Sequence, residues 1–128
     1  MLTPTEQDVM KACGESGIRA MVAAFYQRVR TDDLIGPMYP DDDWEGSEER
    51  LADFMLFRLG HSNTYMEKRG HPRLRMRHMP FSIGVLERDQ WLACMDQAMT
   101  ELGVDPVLRE RLNASFFKTA DWMRNRGV

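Results

Sequence analysis

The chain has 128 residues, enough to bury one hydrophobic core. Seventeen Lys and Arg against 20 Asp and Glu leave a net charge of -3 and a pI of about 5.6, which argues against bulk nucleic-acid binding. There is no 18-residue apolar run to span a membrane. Met1 to Glu6 lacks the charged start and apolar stretch of a signal peptide, and Cys13 and Cys94 are too far apart for a C-x-x-C pair, so the chain reads as reduced and cytoplasmic.

Nearly every apolar run has a helical period. Thr5 caps a first short helix with Val9, Met10 and Cys13 on one side, and Gly14 and Gly17 break it. Ser16 then caps a second helix carrying Ile18, Met21, Val22, Phe25, Tyr26 and Val29 on one face. A turn with Leu34, Ile35, Pro37, Met38 and Tyr39 follows, closed by Pro40 and three aspartates. The next helix runs from about Trp44 to Leu59, with an apolar stripe of Leu51, Phe54 and Met55 and a stop at Gly60. From Gly60 to Pro72 the chain reads as polar and irregular, and Leu74 to His78 as one or two helical turns ended by Pro80. Arg88 to Gly103 is strongly amphipathic through Trp91, Leu92, Met95, Ala98, Met99 and Leu102. Asp105 and Pro106 open a last helix lined by Leu108, Leu112, Phe116, Thr119 and Met123. No segment alternates as a strand does, so the expected class is all-α: one domain over 1–128, of about five main helices with an irregular middle.

Three features carry chemistry. His78 ends a basic segment, Arg73-Leu74-Arg75-Met76-Arg77, and is followed by Met79-Pro80-Phe81. An imidazole, cations and apolar residues together suit a haem: an iron seeking an axial ligand, two carboxylates and a large apolar disc. A lone histidine is more often a hydrogen-bonded core residue, and a run of cations more often a solvated face. The second feature is that His61, after a glycine in a polar loop, and His71, before a proline, offer no H-x-x-x-H or H-x-x-E spacing for zinc or di-iron. A single strong histidine favours an iron whose other ligands come from a cofactor. Third, Phe25-Tyr26, Tyr39 and Trp91 put two hydroxyls and an indole N–H on apolar faces, where each needs a hydrogen-bond partner. The 11 methionines suit a plain adaptable core, or one shaped around a bulky apolar group.

From about residue 16 to residue 122 the sequence closely resembles the second group of the truncated haemoglobins. The most specific stretch runs from Tyr65 to Phe81 and includes Arg69-Gly70-His71-Pro72-Arg73-Leu74-Arg75-Met76-Arg77-His78. Phe25-Tyr26 with Val29, Met38-Tyr39-Pro40, Glu49-Arg50-Leu51 with Phe54, and Asp89 with Trp91-Leu92 agree in order and spacing. The resemblance implies a two-over-two helical sandwich around haem b. It makes His78 the proximal iron ligand, Tyr26 the distal tyrosine, Tyr39 the aromatic after the short third helix, and Trp91 the distal tryptophan. Ser47 and Leu51 fall on ligand-facing positions; Arg75 and Arg77 become the propionate partners; Met38, Phe54, Tyr65 and Phe81 complete the haem-binding set. The chain departs from the family at Gly14-Glu15, where paired glycines are usual, and at Gly60-His61-Ser62, where Gly-Gly-Pro is common; these alter loop shape.

The implied function is binding of O2, NO, CO or other small ligands, with Tyr26, Trp91 and Tyr39 as donors in a dry pocket. Slow O2 release would favour redox chemistry of O2, NO or peroxide over simple carriage. An external reductase is then needed, since no flavin or nicotinamide motif is present. The alternative is a haem-based sensor or partner-binding module without turnover. Monomer and homodimer both remain open.

Overall fold

A computed structural model describes residues 5–127; Met1 to Pro4, read above for the absence of a signal segment, lie outside the described residues. Its regular elements are all helical: α1 Glu6–Val29, a 3-10 turn Gly36–Met38, α2 Trp44–Arg58, α3 Thr64–Arg69, α4 Leu74–His78, α5 Val85–Glu101 and α6 Pro106–Trp122. The pair α1 and α2 is joined to the pair α5 and α6 mainly through contact of α1 with α5, and α3 sits on α2. No described helix is long and apolar enough to cross a membrane.

The helix starts follow local chemistry. The Thr5 hydroxyl accepts from the Asp8 N–H at 3.1 Å, and the Asp8 carboxylate accepts from the Thr5 N–H at 2.8 Å, a reciprocal cap. Asp43 accepts from the Gly46 N–H at 3.2 Å to open α2, and Asp105 from the Val107 N–H at 2.9 Å to open α6. Of the two glycines expected to break the first helix, only Gly14 leaves helical geometry, at φ 68° and ψ 173°. Gly17 stays helical, so the two expected helices meet directly at a kink at Gly14 and run on as α1 with no loop between them. Beyond the kink, Ile18, Met21, Val22, Phe25, Tyr26 and Val29 are all buried, as their period predicts. Gly36 lets the 3-10 turn fold tightly under the end of α1: a Cβ there would stand 2.7 Å from the Val29 carbonyl oxygen.

Three expectations need correction. The buried side of α2 is Ala52, Asp53, Met55 and Leu56, whereas Leu51 and Phe54 are half-buried beside it. The polar stretch after Gly60 contains α3, held by its buried Tyr65 and by Arg69 on Asp53. And α5 begins at Val85, so Trp91 stands in its second turn.

Asp53 is buried and takes Arg19 of α1 at 3.2 Å and Arg69 of α3 at 3.1 Å. One carboxylate thereby ties three helices. The methionines divide between core and surface: Met21, Met55, Met95, Met99 and Met123 are buried, while Met76 and Met79 are exposed beside His78 in sequence.

Candidate functional site

Tyr26, on the inner face of α1, meets Tyr39, which leaves the 3-10 turn in extended geometry. Their rings stand edge to face at 5.5 Å and 90°. Trp91 of α5 reaches the same place, with its ring 4.9 Å from Phe25. Tyr26 and Trp91 both bear on the Tyr39 phenol, Tyr26 through its edge-to-face ring contact. Burial first, and then the adjacent Tyr39, push the Tyr26 phenol far above its ordinary range. Burial likewise pushes Tyr39 up to about 12, opposed by the hydrogen bonds it accepts from Trp91 and Tyr26. All three therefore stay neutral donors across the physiological range.

Trp44 was not anticipated as a site residue. Its ring lies 6.2 Å from Tyr26 and 5.8 Å from Tyr39, with the Arg30 guanidinium over it at 5.5 Å. The only sequence signal was an aromatic directly after the Asp43 cap. Met38 and Leu51 pack against the core edge, and buried Ser47 accepts a hydrogen bond from Arg50 at 3.3 Å.

His78 closes α4. Its Nδ1 lies 2.6 Å from the Leu74 carbonyl oxygen, a group that only accepts, so Nδ1 carries the proton and Nε2 is the bare nitrogen. The Phe81 ring is 6.4 Å away and partly exposed. The backbone here is set from outside α4. Arg73 adopts a left-handed φ of 46°, with its N–H donated to His71 Nδ1 at 3.0 Å. Asn125, past the end of α6, donates to the Phe81 carbonyl at 2.6 Å and more weakly to that of His78 at 3.4 Å. Its own Oδ1 accepts from the Ile83 N–H at 2.9 Å.

The two candidate propionate partners separate. Arg77 donates to the Tyr65 hydroxyl at 3.3 Å and to the Arg69 carbonyl at 3.4 Å, close to Phe54, whose ring meets Tyr65 at 5.5 Å. Arg75 turns the other way, to the carbonyls of Trp122 at 3.2 Å and Arg124 at 3.5 Å. The remaining histidine, His61, faces Glu15 at 3.5 Å.

This donor set suits one metal arrangement. Among the described residues no three His, Cys, Asp or Glu side chains converge to cage an ion. A single imidazole with a fixed tautomer and a bare Nε2 fits an iron whose remaining ligands come from a bound macrocycle.

The sequence profile of the bacterial-like globins matches residues 10–125. A group 2 truncated haemoglobin of Bacillus subtilis (strain 168) is 37% identical over 116 residues, 91% of this chain and 87% of that protein. Among solved structures, the group II truncated haemoglobin of Bacillus anthracis superposes with a TM-score of 0.88 at 36% identity, covering 94% of this chain and 98% of its own. The haemoglobin of Chloroflexus aurantiacus, a thermophilic phototrophic bacterium, does so with a TM-score of 0.86 at 40% identity, covering 96% and 99%.

Proposed function

The chain belongs to the bacterial-like globin family, as a group II truncated haemoglobin that binds haem b and small diatomic ligands, and on that premise we propose that it performs redox chemistry on O2, NO or peroxide rather than simple O2 carriage. When bound, haem supplies a redox-active iron with one position for a small ligand. His78 would hold that iron through Nε2, while its Nδ1–H bond to the Leu74 carbonyl fixes the ring and would make it a stronger electron donor. Arg77, beside Tyr65, is the propionate partner on this reading, worth about 0.2–1 kcal/mol at a solvent-screened edge. Arg75 is not needed for that role.

The observation that carries the proposal is the convergence of Tyr26, Tyr39 and Trp91, from three separate elements, in one aromatic cluster. Such a cluster offers preorganised donors to any small ligand that gathers negative charge, at no cost in reorganisation. A hydrogen bond to a partly charged acceptor contributes about 1.5–3 kcal/mol, which holds O2 roughly 10- to 150-fold longer. Retention of that order suits turnover and defeats delivery. A protein partner must supply the electrons.

The test is O2 and CO dissociation from the ferrous protein and Tyr26→Phe, followed by NO addition to the O2-loaded form. The expected result is faster O2 release in the variant, a smaller change for CO, and conversion of NO to nitrate. Equal effects on O2 and CO together with intact NO would overturn it.

A further inference from the structure

Between Glu67 and Glu87 the chain has no acidic residue, yet it carries Lys68, Arg69, Arg73, Arg75 and Arg77. The opposite bias lies in Asp41, Asp42, Asp43, Glu45, Glu48 and Glu49. Lys68 and Arg69 are answered by Glu49 and Asp53, whereas Arg75 and Arg77 of α4 pair with no carboxylate among the described residues.

Where α4 meets the end of α6 there is an open hollow of about 400 Å³, lined by Arg75, Lys118, Asp121, Trp122, Arg124 and Arg126. Its positive charge is only partly answered. Asp121, the single carboxylate of the lining, is shared by Arg124 at 3.0 Å and Arg88 at 2.8 Å. Arg126 pairs with Glu87 at 2.7 Å. Arg75 is held by two carbonyls, so it is fixed in place while its charge stays uncompensated. Lys118 is exposed and makes no ion pair among the described residues.

The hollow is also edged by a ring. Trp122, in its lining, is 64% exposed, with the Arg75 guanidinium 5.2 Å above it. Tryptophan and arginine are among the residue types enriched at the energetic centres of protein interfaces. A free small anion would use the cations and ignore the ring.

Arg75 stands three residues before His78 on the same five-residue helix. We propose that this hollow is the docking face for an acidic electron-donor protein, resting on the redox reading above. The donor gives up one electron, for example as a flavin hydroquinone becoming a semiquinone, and ferric haem iron becomes ferrous. No bond forms or breaks between the proteins. The uncompensated positive charge of the hollow favours an acidic donor at this face.

The test uses haem-loaded protein and flavodoxin, an acidic flavoprotein, as the probe. Two readouts are taken: binding of oxidised flavodoxin, followed by the Trp122 indole N–H resonance in the CO-saturated ferrous protein, and reduction of the ferric protein by flavodoxin hydroquinone. Binding and rate are expected to fall about tenfold or more between about 10 and 200 mM salt. Lys118→Glu should reproduce much of that loss at low salt, while Asp42→Lys should not. Reduced lumiflavin, a small molecule with no protein surface to dock, should reduce all forms alike. Failure of lumiflavin would count against the haem reading itself. Normal lumiflavin reduction with flavodoxin insensitive to salt and to Lys118→Glu would overturn the docking face. So would a hollow whose Trp122 signal responds to inorganic phosphate and not to flavodoxin.

Discussion

The Nδ1 of His78 lies 2.6 Å from the carbonyl oxygen of Leu74, one turn back in the same short helix. The bond is made entirely within α4, so the tautomer of the imidazole needs no other element. The direction of the helix does, and that is set by Arg73 at its start and Asn125 beyond its end.

The first prediction is that His78→Gly purifies without stably bound haem and recovers it in millimolar imidazole. An unchanged ferrous absorption spectrum in the variant would remove His78 from the ligand role.

Tyr39 sits between Tyr26 and Trp91 in the aromatic cluster, so loss of its hydroxyl should be felt most. Tyr39→Phe removes the oxygen that neighbours both residues, whereas Trp91→Phe leaves the Tyr26–Tyr39 pair in place. We expect Tyr39→Phe to lower unfolding free energy by about 1–3 kcal/mol, and more than Trp91→Phe does. In O2 dissociation, Tyr26→Phe with Trp91→Phe should depart from additivity by more than about 0.5 kcal/mol. Denaturant melts and stopped-flow rates on the singles and the double check both points; strict additivity reduces Trp91 to packing.

Asp53 gives a prediction about the frame. Breaking a fully buried pair costs about 3–5 kcal/mol, and here Arg19 reaches solvent, so Asp53→Ala should cost about 2–3 kcal/mol. Arg19→Ala should cost under about 1 kcal/mol, because Asp53 keeps Arg69. A thermal melt ranking the two in the reverse order would count against the three-helix tie.

Removing the Asn125 side chain should loosen the ligand-bearing segment without touching the distal cluster. Asn125→Ala is expected to speed haem transfer to an acceptor protein by about 5-fold or more, corresponding to roughly 1 kcal/mol or more of lost hydrogen bonding. Asn125→Asp, which keeps the acceptor for the Ile83 N–H and loses the donor to the Phe81 carbonyl, should fall between. O2 release, governed by Tyr26 and its neighbours, should change less than haem loss does.

The cluster also sets an alkaline limit. Tyr26 and Tyr39 are raised in the folded chain, while unfolded tyrosines ionise near pH 10. Above about pH 10 the unfolded chain sheds protons that the folded one keeps, so stability falls as pH rises. Tyr26→Phe with Tyr39→Phe should flatten that slope. Glu87 acts at the other end: the Gly84 N–H and then Arg126 hold its carboxyl low, so its contribution is lost as pH falls below about 4.5. Denaturant melts between pH 3 and 11 check both limbs.

The long helices were readable because each has enough turns to show its period and a cap to mark its start. The core face of α1 and the Asp105-Pro106 opening of α6 are where the pattern placed them. Six residues are too few for a period, and α3 is polar, so Thr64–Arg69 looked like loop; its support comes from Asp53, 16 residues away. Leu51 and Phe54 were taken for core because they are apolar, but α2 buries Asp53 instead and leaves them half-covered. At the site, residue types announced the aromatics and His78. The parting of Arg75 from Arg77 could not be read, since the partners of Arg75 are backbone carbonyls that carry no residue-type signal. Asn125 was silent for the same reason: a single polar residue in a tail has no periodicity.

The bonds from Asn125 to His78 and from Arg75 to Trp122 each span 47 residues. During synthesis the His78 segment emerges well before its clasp. A five-residue helix cannot hold itself in water, and closing so long a loop is slow. The segment therefore becomes ordered late, after α5 and α6 have docked. Any event that stalls or trims the chain between Trp122 and Arg126 would leave a well-folded aromatic cluster with an unfinished histidine segment, a species recognisable by native aromatic signals and poor haem retention.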